Sequence, residues 1–317
     1  MNKLLELLFL KQIKGYGIVK INKKLEIVNR VENSDELMDR LVTIEKQNRV
    51  LLDSSLKAAN EIYYRLIKDK GLKIITVFDP EYPENFRSLG EKKPLILYAK
   101  GDISVLKKPG ISIVGTRKPS IWTQKYGKEL CEQIGRISSR VIVSGLAIGC
   151  DRIAHEGAIA AEVPTVAILS SGFENISPKS HQDLALDIIK HGGCLLTEYL
   201  PDTTVHRGTF LERDRLIAAL TDVTFAIECS EKSGTMFTVE EAHKLEKKLL
   251  CYYPDEQALY HGAKAKDYAG NKTMLEKYGA DGISTKEDLQ EYFRIIEKPH
   301  DIKVAYYQMS LMDLIEE

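Results

Sequence analysis

Apolar runs alternate with amphipathic segments from about residue 110 onward, and this pattern predicts a parallel α/β sheet. Each apolar run has the length and β-branched character of a buried strand, and each amphipathic segment has the length of a helix. Such alternation is typical of a doubly wound, mostly parallel sheet with helices on both faces. The predicted strands are 111–115, 140–144, 165–170, 193–197, 223–228 and 249–252. The predicted helices lie near 122–138, 150–162, 180–191, 210–220 and 237–247.

The first 70 or so residues have a different pattern, which is helical and strongly charged. Residues 13–21 resemble the turn of a helix-hairpin-helix, in which a G-x-G loop presents backbone N–H groups that can hold a nucleic-acid phosphate. A small helical bundle with a solvated lysine face explains the same residues equally well. The lysines around this turn are Lys11, Lys14, Lys20, Lys23 and Lys24.

The first strand of the sheet is followed by Gly115, Thr116 and Arg117. Gly115 permits a sharp turn and the close approach of a ligand, since it has no Cβ. The helix that begins near Trp122 is expected to direct free N–H groups and the positive end of its dipole toward that ligand. Arg117 adds a fixed positive charge. The turn therefore predicts an anion site, and phosphate is the expected anion, although one such turn favours phosphate only weakly.

Four further loops carry similar chemistry where predicted strands end, which is the edge at which such sheets bind ligands. Polar groups, cations or glycines recur in all of them, and convergence of these loops strengthens the prediction of a binding site. In chain order the residues are Ser144 and Gly145, then Lys179, then Arg213 and Arg215, and finally Ser233, Gly234 and Thr235. Asp214 lies between the two arginines, so a surface salt-bridge cluster remains an alternative interpretation of that loop.

Nothing in these loops indicates a reaction. Asp151 and His155 are four residues apart on one predicted helix face, but no nucleophile is spaced to use them, so an orienting or capping role is expected. The sequence contains no Walker A motif, no G-x-G-x-x-G with a trailing acid and no H-E-x-x-H. No serine or cysteine occupies a nucleophile elbow. The site is expected to bind a ligand without catalysis.

The composition of the chain narrows the classes of function and location that remain. The formal net charge of −1 gives no global basic field, so any nucleic-acid contact must come from a local patch. The five cysteines are scattered without a C-x-x-C pair, which argues against a disulfide framework or a zinc site. The apolar patch at 4–10 is short and interrupted by Glu6, so neither a membrane span nor a clear signal peptide is predicted. We expect a cytoplasmic protein with no metal and no cofactor.

An ordered series of motifs resembles the DprA/Smf family. The motifs are Val-Gly-Thr-Arg-Lys-Pro (114–119) with Tyr126-Gly127, Ser-Gly-Leu-Ala-x-Gly-x-Asp-x-x-Ala-His (144–155), Arg-x-Arg-Leu-Ile-Ala (213–218) and Ser-Gly-Thr (233–235). The upstream series Asp79, Tyr82-Pro83, Pro94, Leu97-Tyr98 and Gly101 fits the same family. The resemblance implies a cytosolic, non-catalytic DNA-processing protein, usually a homodimer. It further implies binding and protection of single-stranded DNA and loading of the RecA recombinase in natural transformation or recombination.

The resemblance also implies roles for particular residues. Arg117 and Lys118 would contact DNA phosphates, backbone or hydroxyl donors would come from the glycine-rich loops, and further cations would line the same groove. The predicted DNA-binding residues are Gly115, Thr116, Arg117, Lys118, Ser144, Gly145, Lys179, Arg213, Arg215, Ser233, Gly234 and Thr235. Phe173 and Phe210 are candidates for stacking on bases, and either fits a core position equally well.

The chain departs from the family pattern at three places. Ile148 stands where a cation is usual, and Asp214 stands where Asn is usual. A Tyr-Pro-x-x-Asn series is replaced by Ser-Pro-Lys-Ser-His at 177–181. Losing a cation and gaining an anion are both expected to weaken phosphate binding, because each neutralised phosphate adds to the salt dependence of affinity. A C-terminal winged-helix extension is not recognisable after Asp288.

With the resemblance, the sequence predicts four segments. Residues 1–70 form a helical domain similar to a SAM or helix-hairpin-helix domain, and 71–109 form a linker and extension that packs on the next domain. Residues 110–290 form a Rossmann-like DNA-binding domain, and 291–317 form a short C-terminal tail. The predicted fold class is thus α/β, with a small N-terminal helical domain.

A second function remains open, that of a small-nucleotide enzyme or sensor. Ser233-Gly234-Thr235 followed by Glu240 and Glu241 is loosely similar to the Gly-Gly-x-Gly-Thr-x-x-Glu signature of the cytokinin-activating LOG phosphoribohydrolases. The same architecture occurs in nucleotide sensors of defence systems. The other glycine-rich half of that signature is absent here. A mononucleotide site should depend little on salt, whereas a DNA groove should weaken steeply as salt rises.

Overall fold

The computed structural model describes residues 3–297 and contains one nine-stranded sheet in the order β1-β2-β6-β5-β4-β3-β7-β8-β9. All six predicted strands are present, and each end agrees within two residues. The strands are β1 (Lys73–Thr76), β2 (Ile96–Gly101), β3 (Gly110–Val114), β4 (Val141–Ser144), β5 (Thr165–Ile168), β6 (Cys194–Thr197), β7 (Val223–Ala226), β8 (Lys248–Tyr252) and β9 (Asp281–Ile283). The predicted mixed α/β, Rossmann-like class is confirmed.

Helices cover both faces of this sheet and also form the N-terminal region. The N-terminal helices are α1 (Leu4–Gln12), α2 (Ile18–Asn22), α3 (Leu25–Arg30), α4 (Ser34–Glu45) and α5 (Arg49–Leu66). The others are α6 (Ile121–Ser138), α7 (Cys150–Ala160), α8 (Gln182–Lys190), α9 (Arg207–Leu220), α10 (Gly234–Lys244), α11 (Glu256–Tyr260), α12 (Ala269–Tyr278) and α13 (Lys286–Glu297). Helix α13 includes the first residues of the predicted tail, and residues 298–317 lie outside the described part of the chain.

The segment 71–109, predicted as a linker and extension, contributes two strands to the sheet. Strand β1 pairs antiparallel with β2, and β2 pairs antiparallel with β6 at the sheet edge. All other neighbouring strands are parallel. The apolar residues Leu95 to Leu97 that looked like packing contacts are strand or strand-flanking residues buried in the core. Strand β9 was not predicted, because its three residues include an aspartate and a glycine.

Alternating residues of the central strands face different layers of the core. Ile111 and Ile113 of β3 join the cluster beneath α6, α7 and α13, whereas Val114 joins the cluster on the opposite face. Both faces are therefore covered, which explains why the strands are nearly continuous apolar runs. The second cluster continues without a break into the N-terminal helices through Leu7, Phe9 and other buried residues.

The cysteines and the helices give further facts about the described residues. The five cysteines are all free and buried. No helix among residues 3–297 is long and apolar enough to cross a membrane. Within the same residues, no group of three acidic, histidine or cysteine side chains is arranged to hold a metal ion.

The strand order reverses at one point along the carboxyl edge of the sheet. From β3 the chain proceeds through β4, β5 and β6 on one side, and then returns to place β7 on the other side of β3. Open α/β sheets bind ligands at such a reversal of strand order, because the connecting loops diverge there and leave a crevice. The loops that follow β3 and β7 should therefore line the site.

Candidate nucleic-acid interface

A cleft of about 360 Å³ opens at this reversal of strand order. Its walls come from the loops after β3, β4 and β7 and from one side of α9. We call it the switch-point cleft. The predicted site residues that line it are Gly115, Thr116, Arg117, Arg213, Ser233, Gly234 and Thr235. The structure thus brings four of the five predicted loops together here, and the loop after β4 contributes Ala147 and Asp151 instead of Ser144 and Gly145.

The turn after β3 is held in place by backbone hydrogen bonds. The Thr116 N–H donates to the Glu228 carbonyl over 2.7 Å, and the Cys150 N–H donates to the Thr116 carbonyl over 3.0 Å. Gly115 is required by packing, because a Cβ there would lie 2.5 Å from the Cys150 Sγ. The missing Cβ therefore lets the start of α7 pack closely against Gly115, whereas the sequence predicted that a ligand would approach this glycine.

Glu228 fixes the other end of this turn and is not among the residues predicted from the sequence. Its buried carboxylate accepts hydrogen bonds from the Ser120 N–H at 2.9 Å and the Ser120 hydroxyl at 2.7 Å. Ser120 in turn caps α6, since its hydroxyl accepts from the Thr123 N–H. Nothing in the sequence signals this link, because 108 residues separate the two partners.

Arg117 is the exposed cation of the cleft. Its guanidinium lies 4.5 Å from the centroid of the Phe210 ring, in cation–π geometry. It forms no ion pair with any carboxylate in the described part of the chain. A guanidinium without a carboxylate partner keeps N–H groups for a planar, bidentate contact with phosphate. Phe210, predicted as a stacking candidate, thus orients Arg117.

Arg213 lies deeper and is already compensated. Its Nε is 2.9 Å from Asp214 Oδ1, its Nη1 is 3.8 Å from Asp151 Oδ2, and Nη1 also donates to the Ile168 carbonyl over 3.0 Å. Burial raises the pKa of Asp214 above its usual range, and the neighbouring Arg213 acts against that rise. Because Asp214 and Asp151 offset its charge, Arg213 stabilises the floor of the cleft more than it attracts a ligand.

Gly145 makes room for this arginine. A Cβ at residue 145 would lie 1.6 Å from the Arg213 Nη1 and 2.3 Å from Asp151 Oδ2. Ser144 is fully buried, and its hydroxyl donates to the Ile113 carbonyl over 2.6 Å. These two predicted DNA-binding residues therefore lie behind the cleft and support it.

Asp151 and His155 have the structural roles that the sequence indicated. Asp151 accepts a hydrogen bond from the Ala147 N–H at 3.1 Å and so orders the loop before α7. His155 is fully buried between the Gly145 carbonyl at 2.6 Å and the Thr165 hydroxyl at 2.8 Å. Burial lowers the pKa of His155, so the neutral ring is favoured.

The start of α10 forms the wall opposite the turn. Ser233 is its N-cap residue, but no side chain caps the helix there. A Cβ at Gly234 would meet no atom within 4 Å, so the backbone at this point faces open space. Uncapped N–H groups and the positive end of the helix dipole favour an anion at this position.

The other three predicted residues lie away from the cleft. Lys118 is exposed on the other side of the β3–α6 turn, and Lys179 is exposed in the short helical turn Lys179–His181. Arg215 lines a separate cavity of about 790 Å³ between the N-terminal helices and the sheet. There it forms a buried ion pair with Glu198 at 2.7 Å and donates to the Lys92 carbonyl over 3.2 Å. Its predicted contact with DNA has no support from this placement.

The lysines around the predicted helix-hairpin-helix turn are partly neutralised. Lys24 forms an ion pair with Glu45, and Lys23 lies 3.4 Å from Glu91. Lys20 lies 3.8 Å from the Tyr16 ring centroid. Lys11 lines the large cavity together with Glu198 and Glu212. Between the two interpretations of this turn, the contacts favour a packed helical bundle over a free phosphate clamp.

Comparisons with known proteins identify the class. The family model described as DNA recombination-mediator protein A matches residues 73–294. The DNA processing protein DprA of Bacillus subtilis is 32% identical over 225 residues, which cover 71% of this chain and 72% of that protein. Protein Smf of Borreliella burgdorferi is 26% identical over 300 residues, which cover 92% of this chain and 88% of that protein.

Solved structures agree with this assignment. The X-ray structure of DprA from Streptococcus pneumoniae matches with a TM-score of 0.74 at 22% identity, covering 91% of this chain and 97% of that one. A structure of the Helicobacter pylori protein, described as showing its single-stranded DNA binding mode, matches with a TM-score of 0.60 at 28% identity over 72% and 97% of the two chains. The chain belongs to the DprA/Smf family and is a divergent member of it.

Proposed function

We propose that this protein binds single-stranded DNA through the switch-point cleft and protects the strand without cleaving or modifying it. The observation that carries the proposal is the exposed guanidinium of Arg117, stacked on Phe210 and facing the uncapped start of α10. An unpaired cation beside free N–H groups fits a phosphate, and phosphate contacts hold a strand without reading its sequence. The Helicobacter pylori relative, whose structure concerns single-stranded DNA binding, supports the same ligand.

The contacts of the acidic side chains nearest the cleft are consistent with a non-catalytic role. Asp151 and Asp214 both lie against Arg213, so neither is a free general base. Of the two acids that gave the likeness to LOG phosphoribohydrolases, Glu241 is paired with Lys244 at 2.7 Å and Glu240 accepts a hydrogen bond from Tyr278. Neither lines the cleft. A small-nucleotide enzyme is therefore the weaker candidate.

RecA loading, homodimerisation and a cytoplasmic location belong to the proposal through the family resemblance. In this account the protein coats a strand that enters the cell and transfers it to a recombinase during transformation or recombination. Single-strand contacts that depend on phosphates are suited to this, because they hold any sequence and are released in small steps.

The test is equilibrium binding of a fluorescent oligo-dT, followed by anisotropy over a series of salt concentrations, with duplex DNA and AMP as competitors. The proposal predicts binding that weakens linearly in log salt, with a slope of about 0.7 for each phosphate contacted. Neither competitor should displace the oligonucleotide. Displacement by AMP with a flat salt dependence would instead establish the small-nucleotide site.

A further inference from the structure

A second groove, of about 490 Å³, lies on the other side of the β3–α6 turn. The start of α6 forms one wall and the loop between α11 and α12 forms the other. We call it the lysine groove and define it by Lys118, Lys125, Lys264 and Lys266 with the rings of Trp122 and Tyr126. None of these residues except Lys118 was predicted as a site residue.

The lysine groove is positively charged and largely uncompensated. None of its four lysines forms an ion pair with any residue among 3–297. Two carboxylates also line it, and one of these, Glu228, already accepts hydrogen bonds from Ser120. The lining thus carries an excess of two positive charges in a protein whose formal net charge is −1. Such a local excess attracts a polyanion.

Aromatic and apolar side chains are interleaved with these lysines. The Trp122 and Tyr126 rings are in contact, with centroids 4.3 Å apart, and both line the groove. Ile121 at the same helix start is 86% exposed, and Tyr260, next to the lining residue His261, is 87% exposed. Trp122 and Tyr126 are half-buried, so part of each ring stays accessible beside the lysines. Accessible rings beside cations are a combination that binds single strands, since bases stack on rings while phosphates contact lysines.

The lysine groove adjoins the switch-point cleft. Arg117 and Lys118 are consecutive in the turn, and they line the cleft and the groove respectively. The turn between them is fixed at both ends, by the Thr116 N–H on the Glu228 carbonyl and by Ser120 on the Glu228 carboxylate. One strand crossing the turn would therefore meet cations on both sides.

We propose that the lysine groove is a second segment of the single-stranded DNA path. This inference rests on the proposed function, because it extends the strand that the switch-point cleft holds. Phosphates that have passed the turn lie against Lys264 and Lys266, and bases lie against Trp122. A short oligonucleotide fills the cleft alone, whereas a longer one fills both.

Trp122 provides a direct readout, because it is the only tryptophan of the chain. Oligo-dT of increasing length, from about 4 to about 20 nucleotides, spans the site sizes of single-strand binders. Short oligomers should bind, as seen by anisotropy, with little change in tryptophan emission. Longer oligomers should bind more tightly and quench the emission, because bases then reach Trp122.

The decisive variant is Lys264→Ala with Lys266→Ala, both exposed and unpaired. It should bind short oligomers like the parent, while its salt slope for long oligomers falls by about 1.4 and its affinity for them at 0.1 M salt falls about 25-fold. The matched control is Lys107→Ala with Lys108→Ala, two exposed lysines before the amino end of β3, which should leave both quantities unchanged.

The outcomes separate the two proposals. If the double variant binds long oligomers with the affinity and salt slope of the parent, the groove is not part of the path, although the cleft still binds DNA. If the parent binds no oligomer of any length, the proposed function fails and this inference fails with it. If a poly-glutamate peptide quenches Trp122 and oligo-dT does not displace it, the groove serves an acidic protein segment instead, which also overturns the inference.

Discussion

Replacing Arg117 by alanine should reduce single-strand affinity strongly while leaving the fold intact. The change removes an exposed guanidinium that lines the switch-point cleft and its contact with Phe210 at 4.5 Å. A hydrogen bond to a charged group contributes about 1.5–3 kcal/mol, which corresponds to roughly a 10- to 150-fold loss of affinity. The loss should be the same for every sequence, because phosphates and not bases are contacted.

The effect on stability should be much smaller. Surface substitutions usually change the free energy of unfolding by up to about 0.5 kcal/mol, and an exposed cation–π contact adds about 0.5–1 kcal/mol. The melting temperature should therefore fall by no more than about 6 °C. Anisotropy with oligo-dT and a thermal melt of the same preparation measure the two effects separately.

Two further variants refine this test. Arg117→Lys keeps the charge but loses the planar fork and the stack, so its affinity should lie between the others and its salt slope should equal that of the parent. Arg294→Ala is the matched control, because Arg294 is an exposed arginine on α13. Its neighbour Phe293 contacts Arg140 at the amino end of β4, whereas the cleft lies at the carboxyl edge of the sheet. If Arg117→Ala binds DNA like Arg294→Ala, the assignment of the cleft is refuted.

Three more predictions follow from the same contacts. Phe210→Ala should lower the affinity for oligo-dT about two- to fivefold and leave the salt slope unchanged, because it removes only the cation–π contact of Arg117, which contributes roughly 0.5–1 kcal/mol. A changed slope would contradict this, because it would show that Phe210 controls a phosphate contact. Gly145→Ala should lower the free energy of unfolding, measured by chemical denaturation, by about 3–5 kcal/mol, because the new Cβ displaces the buried Arg213. Gly234→Ala, where the Cβ meets open space, should lower it little, and equal losses would contradict this explanation. The fold lowers the pKa of His155, so below about pH 6.5, the ordinary pKa of histidine, the unfolded chain binds more protons than the folded one. The free energy of unfolding should therefore fall as the pH falls through that window. In chemical denaturation at pH 5 and pH 7, His155→Gln should lose less stability on acidification than the parent.

The sequence predicted the sheet well because its signals are local. Strands buried on both faces must be continuous apolar runs, and the helices between them are amphipathic over ten or more residues. Strand β9 was missed for the converse reason, since a three-residue edge strand with one buried residue carries no periodicity. The segment that carries β1 and β2 was predicted as a linker and extension because its prolines are equally typical of turns and of strand ends.

The site was predicted less completely, because charge compensation is not local. Arg213 and Arg215 look alike in sequence, yet one is held by Asp151 and Asp214 and the other by Glu198 on a different side of α9. The link between Glu228 and Ser120 also joins distant residues. Of the three predicted arginines, Arg117 forms no ion pair with a carboxylate among residues 3–297, and the sequence alone could not distinguish it from Arg213 and Arg215.

The most direct test of the central claim is a crystal structure of the protein with a bound dT oligomer. The account predicts a phosphate in the switch-point cleft, within hydrogen-bond distance of the Arg117 guanidinium and of the free N–H groups at the start of α10. A strand bound to the N-terminal helices or elsewhere, with the cleft empty, would contradict it.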